Sequence, residues 1–203
     1  YGRNEDDLSR EHLLHDHAAE GAAGLLSFVG GKLASYRAQS EEVTDRILIL
    51  LGRPPVACRT HEEPLPGGES APDPEELARR HGGPRPLVAR LAYRHGALAE
   101  EVLRLCDEDP RLGLCLCREE GILAAEVVFC ARHEKVRRLQ DLRRRCRAAL
   151  GGCAGVDCAR ISAQLLRREL GWGADRVRAE LADLLDPGWR ERRALLVGVP
   201  LAQ

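Results

Sequence analysis

Four of the eight cysteines stand in two short pairs whose spacing suits metal binding. One residue separates Cys115 from Cys117, and four residues separate Cys153 from Cys158. Thiolates on two tight turns can close around one centre. An even number of cysteines could also indicate disulfides, but nothing in the chain marks it as secreted. The clustering therefore predicts a metal site in a reducing compartment.

Two kinds of metal centre fit four thiolates, and the spacing does not choose between them. A zinc ion would be tetrahedral, structural and redox-silent. A 2Fe-2S cluster would carry electrons. Gly152 and Gly155 lie beside the second cysteine pair. We expect both glycines to adopt backbone angles that other residues avoid and to direct N–H groups at sulfur, which helps set the reduction potential of a cluster.

A second candidate site is the turn Gly30-Gly31-Lys32, which follows the apolar run 24–29. The run predicts a strand, and an amphipathic helix should follow the turn because apolar positions recur there at spacings of three and four. A helix N-terminus offers free N–H groups and a partial positive charge. The turn could therefore bind an anion or the edge of a flavin, although many βα turns contain glycines with no ligand.

Other side chains that could do chemistry have ordinary interpretations. The remaining cysteines lack close partners, and we interpret each as a buried or partly buried free thiol. They are Cys58, Cys106, Cys130 and Cys146. Three histidines could bind metal or transfer protons, but we expect a solvated loop ahead of the predicted strand. They are His12, His15 and His17.

Basic side chains crowd one region of the second half of the chain. A solvated helix face is the simplest interpretation. Charge compensation for an anionic cluster, or docking of another protein of the same complex, is the second. Nucleic-acid binding is disfavoured because stacking aromatics are absent and the chain is not basic. The basic residues are Arg132, Lys135, Arg137, Arg138, Arg143, Arg144, Arg145 and Arg147.

The elements that must position these residues predict a mainly α protein. A strand, the Gly-Gly turn and a helix form part of a βα unit in residues 1–52, and a linker rich in Pro and Gly follows at 53–72. The remaining residues have the pattern of an all-helical region. Asp73 before Pro74 is a strong helix start, and Gly82 with Gly83 should end that helix. Further helices are predicted near 86–95, 97–106, 119–133, 137–149, 157–169 and 174–185.

Composition excludes several classes of protein. The 203 residues are 44% hydrophobic, which is enough to build a core. The formal net charge of −1 gives no reason to expect nucleic acid or an anionic membrane as a partner. No run approaches the roughly 20 apolar residues that a transmembrane helix requires. The chain opens at Tyr1 without an initiator Met, so we expect a fragment of a longer protein.

The stretch from Leu25 to Arg37 resembles the last strand and following helix of the FAD domain in flavin-dependent glycerol-3-phosphate dehydrogenases. The residues Leu8-Ser9-Arg10 resemble the segment just upstream in that family. The resemblance implies that Gly30, Gly31 and Leu33 line the flavin. It also implies that Lys32 contacts the flavin and holds the substrate phosphate, with Arg10 as a weaker candidate for the same anion.

The cysteine spacing resembles the bacterioferritin-associated-ferredoxin-like domain at the C-terminus of the flavin-bearing component of anaerobic glycerol-3-phosphate dehydrogenases. That resemblance implies a 2Fe-2S cluster on Cys115, Cys117, Cys153 and Cys158. Residues 131–139 also resemble the aerobic branch of the family, and the clustered cysteines favour the anaerobic type. The implied divisions are the end of the FAD-binding and substrate domain, a linker, a helical domain, the cluster-binding helical domain and a tail, at 1–52, 53–72, 73–110, 111–172 and 173–203.

Together these features imply a parent enzyme that oxidises sn-glycerol 3-phosphate to dihydroxyacetone phosphate. FAD would take the hydride, and electrons would pass through the cluster to a quinone by way of partner subunits. The resemblance implies a cytoplasmic protein that associates peripherally with the membrane through those partners. We expect no catalytic residue in this chain and no activity from it alone. The alternatives are an electron-transfer or iron-handling module, a structural zinc protein, and a flavoenzyme acting on another small substrate.

Overall fold

The computed structural model describes residues 11–193, with side chains described as far as residue 186. Two compact units divide the chain, one at residues 1–64 and the other at 65–203. Arg10 therefore lies outside the described residues, as do the last ten residues of the expected tail. Among the helices of residues 11–193, none combines the length and hydropathy that a bilayer crossing requires.

The first unit contains an antiparallel hairpin. Strand β1 (His12–Asp16) pairs with strand β2 (Leu26–Gly30), with His15 opposite Ser27. A 3-10 turn at His17–Glu20 begins the connection between them. The expectation of a loop ahead of the strand is therefore wrong for His12 and His15. Alternating cross-strand pairing, which the sequence pattern did not reveal, orders this segment.

The order strand, turn and helix is confirmed for the end of the first unit. Helix α1 (Tyr36–Leu50) follows β2 after a short 3-10 turn at Leu33–Ser35. None of the residues of α1 is buried. The helix therefore presents apolar side chains that this unit alone does not cover.

The second unit is mainly helical, as predicted. Its seven helices, within the described residues, are α2 (Pro74–His81), α3 (Arg85–His95), α4 (Ala99–Glu108), α5 (Ala124–His133), α6 (Asp141–Arg145), α7 (Ala159–Leu170) and α8 (Ala174–Arg193). Short 3-10 turns precede α4 at Gly96–Leu98 and follow it at Pro110–Gly113. All seven helices contribute to one buried apolar cluster, which runs from Leu77 to Leu184.

The start of α2 confirms the capping prediction. The Asp73 carboxylate accepts the Glu75 N–H at 3.0 Å, Pro74 occupies the first helical turn, and Gly82 ends the helix with a φ of 76°. A side-chain oxygen at this position satisfies an N–H that no helical carbonyl can reach. The helices predicted near 86–95, 97–106, 157–169 and 174–185 are also present, as α3, α4, α7 and α8.

The helix predicted over 119–133 is wrong in its first third. Strand β3 (Cys115–Cys117) instead forms a hairpin with β4 (Ile122–Leu123), and α5 begins only at Ala124. Gly121 adopts a φ of 61° in the connecting turn. A residue in the left-handed region cannot continue a helix, so the chain reverses there.

The helix predicted over 137–149 is also wrong, because only the five-residue α6 forms. The Asp141 carboxylate accepts the N–H groups of Arg137 and Arg138, each at 2.9 Å, and so caps the chain ahead of the helix. After the helix, Arg147 and Ala149 adopt φ values of 65° and 63°. These left-handed residues divert the chain into the loop that carries the second cysteine pair.

Candidate functional site

The β3–β4 hairpin positions the first cysteine pair. Cys117 is buried and Cys115 is half-buried. The backbone N–H of Glu120, in the turn of the hairpin, points at the Cys117 sulfur at 3.5 Å. The Cys115 thiol donates to the Cys117 carbonyl at 3.4 Å. The hairpin thus supplies both sulfurs and one N–H group that would stabilise a thiolate.

The second cysteine pair lies on a tightly wound loop that ends at helix α7. Cys158 is buried and occupies the N-cap position of that helix, where the helix dipole favours negative charge. Gly155 adopts a φ of 94°, and a Cβ there would lie 2.6 Å from the Ala149 Cβ. Ala154 is also left-handed, with a φ of 51°. Two parts of the loop therefore pack closely at Gly155, and any larger residue there would clash with Ala149.

The sulfurs of the two pairs are neighbours. Burial raises the pKa of the Cys158 thiol, and the nearby Cys117 and Cys153 thiols add to the rise, while the Ala149 N–H opposes it. Burial also raises the pKa of Cys115, with a further contribution from Cys117. The Cys158 thiol therefore lies near Cys117 of the first pair and Cys153 of the second. A metal site on Cys115, Cys117, Cys153 and Cys158 stays a prediction.

Two acidic residues of the hairpin turn hold the two cysteine segments together. The Glu119 carboxylate accepts the Gly152 N–H. The Glu120 carboxylate pairs with Arg147 at 2.6 Å, and this pairing lowers the pKa of Glu120. Sequence reasoning missed both contacts, because the partners lie about thirty residues apart with no shared local pattern. We call Glu119, Glu120, Arg147 and Gly152 the clasp.

The unusual backbone angle expected for the two glycines is confirmed for Gly155, which is left-handed. It is wrong for Gly152, which is not among the positive-φ glycines. The Gly152 N–H, expected to point at sulfur, donates to the Glu119 carboxylate of the facing hairpin turn. An N–H of Gly155 directed at sulfur stays a prediction.

The four cysteines could hold either of the two metal centres. A zinc ion bound by four thiolates at about 2.3 Å would require all four sulfurs to lie within roughly 3.8 Å of each other. A 2Fe-2S cluster takes its thiolates as two pairs on two irons. The identity of the metal stays a prediction.

A buried ion pair between Arg94 and Glu126 anchors the β3–β4 hairpin to helix α3. Arg94 donates to the Glu126 carboxylate at 2.8 and 2.9 Å, and also to the carbonyls of Glu120 and Gly121 at 2.9 and 2.8 Å. Glu126 is fully buried and accepts the Leu123 N–H at 2.9 Å. The arginine therefore connects helix α3 to the turn that follows Cys117.

The remaining cysteines are free thiols, as predicted. Cys130 and Cys146 are buried next to each other, and Cys146, followed by burial, raises the pKa of Cys130. Burial raises the pKa of Cys106 to about 11. Cys58 is half-buried in the first unit, where Arg37 donates to it at 3.8 Å.

In the first unit, the turn after β2 contains two glycines with left-handed backbone angles. Gly30 and Gly31 have φ values of 82° and 87°. A Cβ on Gly30 would lie 2.5 Å from the Glu11 carbonyl oxygen, and one on Gly31 would meet the Gln39 side chain. These clashes supply a reason for glycine that involves no ligand. Any role for the turn at a flavin stays a prediction.

The two residues after the glycines project into solvent. The Lys32 side chain is exposed, and no contact with another described residue holds its ammonium group. Leu33 is 89% exposed. A free cation and a bare apolar side chain therefore stand together on this turn. The other predicted anion ligand, Arg10, lies outside the described residues.

Part of the arginine-rich region forms ion pairs within the fold. Arg132 pairs with Glu169 at 2.8 Å, and Arg138 pairs with Asp183 at 2.7 Å. Arg147 belongs to the clasp. Three arginines of α6, Arg143, Arg144 and Arg145, are exposed. The paired arginines thus have structural contacts that account for them.

Comparison with known proteins adds a family match. The model for the C-terminal domain of alpha-glycerophosphate oxidase matches residues 58–177. The chain is 34% identical over 198 residues to the A1 subunit of the anaerobic glycerol-3-phosphate dehydrogenase of Haloferax volcanii, covering 97% of this chain and 32% of that protein. It is 38% identical over 173 residues to the corresponding anaerobic glycerol-3-phosphate dehydrogenase component of Escherichia coli K12, covering 82% and 30%.

A third relative is named as a glycerol-3-phosphate dehydrogenase, without mention of a subunit. The chain is 34% identical over 147 residues to the glycerol-3-phosphate dehydrogenase of Synechocystis sp., covering 71% of this chain and 27% of that protein. The chain therefore spans about a third or less of the length of these relatives.

Proposed function

The chain belongs to the family defined by the C-terminal domain of alpha-glycerophosphate oxidase, and we propose that the protein carrying it oxidises sn-glycerol 3-phosphate to dihydroxyacetone phosphate. The relatives named as glycerol-3-phosphate dehydrogenases support this substrate. FAD, when bound, supplies the hydride acceptor. The chain has no G-x-G-x-x-G motif for the dinucleotide pyrophosphate. We propose that it helps to bind and position the substrate and FAD, and that the chain alone is inactive.

The exposed ammonium of Lys32, which has no partner among the described residues, is the observation that carries the substrate proposal. It stands on a turn whose two glycines adopt left-handed backbone angles. A compact ammonium suits a phosphate dianion as a point charge. No described side chain competes for it. We assign the phosphate contact to Lys32, with Arg10 as a second cation for the same group.

The same turn suits the edge of a flavin. Gly30 and Gly31 carry no side chains, and Leu33 is 89% exposed beside them. An apolar side chain with this much exposed surface is typical of a binding site, and a flat ring system could pack against it. The N–H groups that open the following 3-10 turn and α1 favour negative charge nearby. We propose that Gly30, Gly31, Lys32 and Leu33 contact FAD.

We further propose that the four clustered cysteines bind a 2Fe-2S cluster. Such a cluster supplies one-electron transfer. The clasp holds the two cysteine segments together, the Glu120 N–H points at the Cys117 sulfur, and Cys158 lies at a helix N-terminus. The Glu120 N–H and the helix N-terminus stabilise thiolates that burial would otherwise keep protonated.

Partners belong to the same proposal. Two of the relatives are named as subunits, which implies that they have companions. We propose that electrons leave through such companions to a quinone, and that the protein is cytoplasmic and meets the membrane peripherally through them. The exposed arginines of α6 offer a surface for that docking.

The substrate proposal is tested by Lys32→Ala in the full enzyme. Loss of one charged contact to phosphate costs about 1.5–3 kcal/mol, so KM for glycerol 3-phosphate should rise roughly 10- to 100-fold. Lys32→Arg should recover part of the loss because the charge remains. The matched control is Lys135→Asn, since Lys135 is the other lysine and asparagine tolerates its φ of 57°. A KM unchanged by Lys32→Ala would remove the phosphate role.

The cluster proposal is tested by iron and acid-labile sulfide analysis after anaerobic purification, with visible and EPR spectra. We expect about two irons and two sulfides per chain. Cys153→Ser should abolish them, whereas Cys106→Ser should not, because Cys106 lies outside the group. Zinc with a featureless visible spectrum would turn the cysteines into a structural site and remove the electron-transfer role.

A further inference from the structure

Three side chains at the end of β1 form a compact cluster that the proposed enzyme chemistry does not use. Among the described residues, His15, His17 and Glu20 are the group whose ligand atoms all lie within 4.8 Å of one another. The two histidines are half-buried and the glutamate is exposed. We propose that these residues bind a divalent transition-metal ion of the zinc class.

The ligand atoms already converge on one point. His15 Nε2 lies 2.6 Å from one Glu20 carboxylate oxygen, and His17 Nδ1 lies 2.5 Å from the other. Three ligands around a tetrahedral ion at about 2.0–2.1 Å would stand roughly 3.3 Å apart. The metal would therefore replace the shared protons, with movements of less than about 1 Å at each contact.

The backbone holds this arrangement before any ion arrives. His15 pairs with Ser27 in the hairpin, and the His17 N–H donates to the Leu25 carbonyl at 3.1 Å. The following 3-10 turn returns Glu20 towards the histidines, and Asp16 caps that turn by accepting the Ala18 N–H at 3.0 Å. A preorganised site binds more tightly because little order remains to be imposed.

A second contact orients one of the ligands. His17 Nε2 lies 2.9 Å from the Ser27 hydroxyl. If Nε2 carries the proton and donates it to Ser27, the lone pair of Nδ1 faces the cluster. Metal-ligating histidines commonly donate their other ring N–H to an oxygen in this way, which fixes the ring and its tautomer.

The composition of the cluster points to the same class of ion. The adjacent Asp16 is already paired with Arg46 at 2.7 Å, which leaves Glu20 as the carboxylate that faces the two histidines. Two imidazoles and one carboxylate form a donor set that zinc-class ions accept.

The structural consequence of binding is local. An ion here would join the end of β1 to the 3-10 turn and so lock the hairpin. The other strand of that hairpin ends at Gly30, which pairs with His12. Binding should therefore stabilise the strand that leads into the Gly-Gly-Lys turn.

The test is titration of the full protein with Co²⁺, because the absorption spectrum of the bound ion depends on which ligands hold it. A site of nitrogen and oxygen ligands gives visible d–d absorption, whereas thiolates add an intense near-ultraviolet charge-transfer band. We expect the d–d signal without that band to disappear in His15→Ala and in Glu20→Gln. It should persist in His12→Ala, because His12 lies on the same strand but bonds Glu42 at 2.6 Å.

Two further measurements complete the test. Zn²⁺ should raise the unfolding temperature of the His12→Ala protein and leave that of Glu20→Gln unchanged, because only a ligand of the folded state stabilises it. Ser27→Ala should weaken Co²⁺ binding roughly 10- to 100-fold through loss of ring orientation. Equal Co²⁺ affinity in wild type, His15→Ala and Glu20→Gln would overturn the proposal, whatever the cysteines bind.

Discussion

Replacing Arg94 by leucine should remove a large part of the stability of the second unit. The Arg94 side chain is 9% exposed and its partner Glu126 is fully buried. The guanidinium makes four hydrogen bonds, two to that carboxylate and two to carbonyls of the β3–β4 turn. Removing one partner of a buried ion pair costs about 3–5 kcal/mol, and Glu126 would then keep only His95 at 3.0 Å and the Leu123 N–H as partners.

The assay is urea unfolding followed by far-ultraviolet circular dichroism, with the free energy of unfolding extrapolated to water. Arg90→Leu is the matched control. Arg90 lies one helical turn earlier and also donates to the same hairpin turn, at the Glu119 carbonyl, but it is exposed. Its loss should cost less than about 1 kcal/mol.

A double variant separates the charge from the packing. Removing both Arg94 and Glu126, each replaced by leucine, should cost less than the sum of the two single changes, because no buried charge is left alone. Iron and sulfide content should fall in Arg94→Leu, since the turn after Cys117 loses its anchor. A loss in Arg94→Leu no larger than that of Arg90→Leu would refute the reasoning.

Two other perturbations have expected outcomes. Gly155→Ala should destabilise the second unit by about 1–3 kcal/mol and lower its metal content, because φ is 94° and the new Cβ would strike Ala149. The control Gly173→Ala should change neither property, because no atom lies within 4 Å of the added Cβ. Equal unfolding midpoints for the two variants would contradict the prediction. Arg132 holds the pKa of Glu169 below its ordinary value of 4.5, so their pairing stabilises the fold above that pH and is lost as pH falls through the lowered pKa. Glu169→Gln should therefore cost about 0.5–1 kcal/mol at pH 6 and progressively less as pH falls below 4.5, measured by urea unfolding, and a loss that does not change with pH would exclude the pairing as the cause.

Elements with local determinants were predicted well. The Asp73-Pro74 start and the Gly82 end of α2 depend on residues within one or two turns of each other. The helical periodicity of the second unit was also sufficient to predict its class.

Elements with distant determinants were missed. The β3–β4 hairpin forms where a helix was predicted, because Arg94 on another helix binds the carbonyls of its turn. The early end of α6 similarly allows Arg147 to reach Glu120. In both places a tertiary contact outweighs a local helix preference of a few tenths of a kcal/mol per residue.

By itself the sequence determined the ligand types, the pairing of the cysteines into two motifs, and the Gly-Gly-Lys turn, since these depend on residue identity and short spacing. Only the tertiary structure decided that the clasp brings the two motifs together and that His15, His17 and Glu20 converge. Such contacts join residues that local rules cannot relate, because their distance in space is set by the packing of whole elements.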